Sequence, residues 1–118
     1  MKLIVEKDID IDSLKIYLCL FELHKSYLLL ISDNEEFGIG DVTIATPIRI
    51  DELKIKSKSY KLFGIHKELL NQIIAEKFSS SLNATVLLIL FLKGIKNEQE
   101  VIKPLMKFIN EILKEFKK

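Results

Sequence analysis

The sequence predicts an α+β protein: an antiparallel β-sandwich or meander sheet with two amphipathic helices, in the order β-β-β-β-α-β-α. Three observations carry this expectation. Between Leu14 and Phe63 the residues sort onto two faces at a spacing of two, both faces being mainly apolar in Leu14–Leu23; after Gly64, and again after Asn97, the spacing lengthens to three or four; and between those helical stretches lies Ala84–Leu92, apolar on both faces. The chain has 118 residues, 48% of them hydrophobic and 30% charged. That is enough for one core and too little for two, so residues 1–118 are expected to form a single domain.

The first strand is expected in Leu14–Leu23, where Ile16, Leu18 and Leu20 share one face and Tyr17, Cys19, Phe21 and Leu23 the other. The short polar link His24-Lys25-Ser26 then favours an antiparallel hairpin with Tyr27–Ile31. Turn formers and like charges in Ser32–Glu36 end that strand. Gly38 and Gly40 supply a flexible turn with room for positive φ, and Val42–Thr46 follows as the third strand of a meander, stopped by Pro47. Ile48–Lys54 alternates weakly and reads as an edge or connector. Lys56–Phe63 is the fourth strand, its lysines suited to an exposed edge.

Gly64 punctuates the chain, and the stripe Ile65, Leu69, Leu70, Ile73, Ile74, Phe78 then predicts a helix from about Ile65 to Ser79. Ser79–Asn83 is rich in cap and turn formers. Ala84–Leu92 needs cover on both sides, which places it centrally in the sheet. In the last segment Ile102, Leu105, Ile109, Ile112 and Phe116 repeat at steps of three and four, broadened by Val101, Met106, Phe108 and Leu113. Pro104 is best tolerated in a first turn, so this helix is expected to begin near Glu100. The stripe is expected first of all to pack onto the sheet, its width leaving one flank for a second subunit. Two helices cannot cover every apolar segment of the chain, so self-association is expected.

No residue constellation reads as a reaction. His24, His66 and Cys19 are the only imidazole and thiol groups, and no CxxC, HxH or HExxH spacing joins them into a metal site. Cys19 sits among large apolar residues, where cysteine behaves as a core hydrophobe rather than a nucleophile. Ser79, Ser80 and Ser81 lack the nucleophile elbow, and Gly38-Ile39-Gly40 lacks the third glycine and the strand-to-helix setting of a phosphate loop. Glu35 and Glu36 read as a solvated pair in a turn. No catalytic, cofactor or metal residue is expected, and the chain is not expected to be an enzyme.

A net charge of +1 gives no broad basic surface for nucleic acid. The longest apolar run, Ala84–Leu92, is under half of what a membrane helix requires. Met1–Asp8 has too short an apolar run and no cleavage pattern for a signal peptide, so a cytoplasmic location is expected.

Read as a whole, Leu14–Phe116 resembles the small proteasome assembly chaperones, specifically the branch containing types three and four. The hairpin Ile16–Ile31, the strand Ile39–Ala45, the segment Ser57–Gly64 with Leu62-Phe63-Gly64, the helix leading into Thr85–Leu92, and the closing charged helix Ile109–Phe116 carry the resemblance. It implies a small antiparallel β-sandwich flanked by helices, working as a dimer with itself or a paralogue, which binds proteasome α-subunits and helps them form their seven-membered ring without making or breaking a covalent bond. Another branch inserts a tail ending in hydrophobic-Tyr-any; Phe116-Lys117-Lys118 lacks the tyrosine, so tail insertion is not expected, and no partner-binding residue is assigned. The alternative is a homodimerisation platform of the roadblock or profilin-like kind. Those folds begin with a helix, for which Asp8–Ser13 offers too few residues. A subunit of a shared enzyme active site ranks third, its candidate polar residues being few and scattered.

Overall fold

The computed structural model describes residues 1–49, 55–64, 68–95 and 97–116. Among them, six strands form one mixed sheet and two helices pack on one face of it. The elements are β1 (Lys2–Ile11), β2 (Leu14–Leu23), β3 (Ser26–Ser32), β4 (Asp41–Arg49), β5 (Ile55–Phe63), α1 (Glu68–Leu82), β6 (Thr85–Phe91) and α2 (Glu98–Phe116). Across the sheet they lie in the order β1-β2-β3-β6-β4-β5. Neighbours are antiparallel except β3 with β6, which run parallel. The α+β class is as expected.

Four features of the sheet depart from the expectation, each for a physical reason. First, β1 is an additional strand. Its Ile and Val residues alternate with acids, and such a charge-laden edge strand is shielded from pairing further outward. The turn to β2 is only Asp12-Ser13, with Asp12 at φ 56°. Second, the strands do not form a simple meander. β6 inserts between β3 and β4, because its two apolar faces gain most in the middle of the sheet.

Third, no second sheet forms among the described residues, so the sandwich is absent within the chain. Fourth, Pro47 does not stop β4, which continues to Arg49. The ladder joining β4 to β6 ends at Ala45 opposite Val86, so Pro47 pairs with β5 alone and its missing amide is tolerated. The connector expected at Ile48–Lys54 is in part β4; residues 50–54 lie outside the described residues.

α1 begins at Glu68, with residues 65–67 outside the described residues, and extends to Leu82. The serines do not break it: Ser79 Oγ donates to the Ala84 carbonyl at 2.8 Å and Ser80 pairs with Ser57 across to β5 at 2.9 Å. Asn83, at φ 50°, ends the helix. α2 begins at Glu98 rather than Glu100. The Gln99 amide donates to Asn97 Oδ1 at 3.1 Å, which caps the helix there and leaves Pro104 in its interior.

The core lies between this helical layer and the sheet. Ile16, Leu18, Leu20, Leu29, Ile31, Val86, Leu88 and Leu90 are 0–1% exposed. α1 covers them with Leu70, Ile74 and Phe78, and α2 with Leu105, Ile109 and Ile112. Burying one such side chain contributes roughly 1.5–3 kcal/mol. The buried stripe of α2 thus outweighs the ~3 kcal/mol a proline costs in a helix interior. Tyr27 meets Phe116 edge-on at 6.2 Å, and Lys7 bridges to Glu115 at 2.9 Å, tying the last turn of α2 to β3 and β1.

Candidate interaction surface

Because successive residues of a strand point to opposite faces, the buried set defines a second set at the intervening positions. On β2 these are Tyr17, Cys19 and Phe21; on β3, Leu28 and Leu30; on β6, Leu87, Ile89 and Phe91; on β4, Val42 and Ile44. All are half-buried, and neither helix covers them. At the edges the same face carries Tyr60 and Phe63, 54% and 63% exposed, and Leu3, 44% exposed. Apolar patches of such breadth are rare on proteins that stay monomeric. The flank of α2 expected to face a second subunit is not the uncovered part: Val101, Phe108 and Leu113 are buried within the chain.

Register gives this face a diagonal pattern. Glu6, Cys19, Leu30, Ile89 and Val42 lie in one row across the sheet. From that row the acids Glu6, Asp8 and Asp10 of β1 run toward the β1–β2 turn. In the opposite direction along the strands, on the far edge, Lys58 pairs with Thr46 and Lys56 with Ile48. All five of these charged residues are exposed. Acids therefore occupy one corner and lysines the diagonally opposite one. Lys15, opposite Asp10, offsets part of the acidic charge, and Lys93, 5.1 Å over the Phe91 ring, adds a cation at the same end of β6. Between the corners a band from Leu3 and Phe21 through Leu30 and Ile89 to Val42 and Phe63 is apolar.

The residues weighed for chemistry are scattered. His24 is exposed in the β2–β3 turn, and His66 lies outside the described residues. Glu35 and Glu36 are exposed in the loop before β4, where the Glu36 amide donates to Asn34 Oδ1 at 2.9 Å. Cys19 is not in the core as expected but half-buried on the uncovered face. Desolvation, and secondarily the charge of Glu6, push its thiol pKa up, the opposite of what a nucleophile requires.

Gly38 and Gly40 do not adopt positive φ. Gly40 instead makes room for the Leu90 carbonyl and Gly38 for the Phe91 ring. The polar groups under α1 hold the fold together: Thr43 Oγ1 donates to Asn71 Oδ1 at 3.2 Å, and Ser59 Oγ to Glu76 Oε2 at 2.6 Å. Among the described residues no group of three His, Cys, Asp or Glu is placed to hold a metal ion, and no helix is long and apolar enough to cross a membrane.

The uncovered face and its charged corners went unassigned at the level of sequence. The signal was present in part, since β2, β3 and β6 are apolar on both faces while the chain offers only two helices.

No protein-family model matches the chain, and no curated protein matches it in sequence. Its fold does have a counterpart. The chain superposes with a TM-score of 0.64 on a chain of the crystal structure of a chaperone complex for yeast 20S proteasome assembly, at 10% sequence identity. The likeness covers 99% of this chain and 97% of the other, so it concerns the whole architecture rather than a shared motif. The chain thus shares its fold, end to end, with a chain of that structure, and the surface built on it is apolar and broad, with no reactive cluster among the described residues.

Proposed function

We propose that this chain is a non-enzymatic assembly chaperone which works as a dimer, binds proteasome α-subunits and promotes formation of their ring. The observation that carries this reading is the end-to-end correspondence of its fold with a subunit of a proteasome assembly chaperone complex. The uncovered sheet face supports the dimeric part. A second copy laid on it would complete the sandwich that the single chain lacks, at the spacing of about 10 Å usual for stacked sheets. The chaperone adds contact area to a weakly associating intermediate, stabilises the correct neighbours by mass action, and leaves when later subunits claim the same surface. It acts in the cytoplasm, where α-subunits are made.

Co-expression with a proteasome α-subunit of the same source, followed by affinity capture, is expected to recover a complex. Failure to retain any α-subunit at micromolar concentrations overturns the chaperone reading.

A further inference from the structure

We infer that two copies of this chain pack through their uncovered sheet faces about a two-fold axis lying along the apolar diagonal, so that the acidic corner of each β1 meets the lysine corner of the other's β5. The inference rests on the dimeric reading above and adds to it the occupant's orientation. A two-fold axis within the interface plane reflects one face onto the other. An axis across the strands would set β1 on β1, acid against acid, and β5 on β5, lysine against lysine. An axis along the strands would set β1 over β5 but leave the charges apart, because six residues of register separate Asp8 from Lys58 along the strand direction.

At about 3.3 Å per residue that offset is roughly 20 Å, and five inter-strand gaps of ~4.8 Å separate the two edges by about 24 Å. Only an axis near 40° to the strands carries Asp8 onto Lys58. The strands of the two sheets then cross at about 80°, close to the orthogonal packing that paired sheets adopt. Leu30, Ile89 and Val42 lie on or beside that axis and fill the centre. The face is on the order of 500 Å² in projection, in keeping with the roughly 800 Å² of accessible surface each partner of a stable complex buries. Charge of opposite sign at the rim fixes register and excludes the like-charged arrangement.

The test uses the intact chain in two variants, Glu6→Lys with Asp8→Lys, and Lys56→Glu with Lys58→Glu, followed by sedimentation equilibrium at low salt. Each variant alone is expected to dissociate at least about tenfold more readily than the parent chain, and an equimolar mixture of the two to regain parental affinity as a heterodimer. A dimeric parent whose affinity neither variant changes overturns the orientation and leaves the dimeric reading standing. A parent that stays monomeric at all concentrations overturns both. Should a charge variant fail to fold, Asp8→Cys and Lys58→Cys copies in a Cys19→Ser background keep the question decidable. A short thiol cross-linker is expected to join Asp8→Cys to Lys58→Cys; joining Asp8→Cys only to itself refutes the proposed axis.

Discussion

Gly64 shows what a single residue can decide. Its φ is +95°, a conformation that L side chains rarely adopt, and the space a Cβ would take is held by the backbone and carboxylate of buried Asp41. Gly64→Ala is expected to destabilise the chain by about 1–3 kcal/mol, seen as a lower denaturant midpoint with an unchanged slope. The role of this glycine as punctuation is legible in the sequence. That of Gly38 and Gly40 is legible only in part. A glycine says that a side chain is not wanted, but whether the cause is backbone angle or a neighbour's proximity depends on β6, some fifty residues further on.

At the scale of elements, α2 tests the balance between local propensity and burial. Pro104 removes the hydrogen bond to the Glu100 carbonyl in mid-helix, yet Val101, Leu105 and Phe108 on either side of it are buried. Pro104→Ala is expected to raise stability by about 1–3 kcal/mol, measured by chemical denaturation; a loss would mean that the core is built around the proline. The same competition sets the helix start: the proline favours a start near Glu100, but Asn97 caps the helix and places its start at Glu98. β1 was missed for a related reason. Its alternation places acids on the face without helices, so it shows little of the apolar enrichment by which strands are recognised.

For the molecule as a whole, the two faces of β6 make opposite predictions one residue apart. Leu88 is fully buried beneath the helices, whereas Ile89 is half-buried at the centre of the uncovered face. Leu88→Asp is expected to unfold the chain, since an unpaired carboxylate in the core costs several kcal/mol. Ile89→Asp is expected to keep native circular dichroism and to abolish the proposed dimer in light scattering. A dimer that survives Ile89→Asp would move the contact elsewhere.

What the sequence determined by itself is the class, the two-sided apolar character of β2, β3 and β6, and the lysine-bearing edge of β5, because each follows from residue type and local period. The tertiary structure alone decided that β6 enters between β3 and β4, that both helices lie on one side, and that acids and lysines end at opposite corners of the face left bare. Those outcomes depend on ladder register between segments up to about sixty residues apart, and hydrogen-bonded pairing at such separation leaves no periodic trace in the chain.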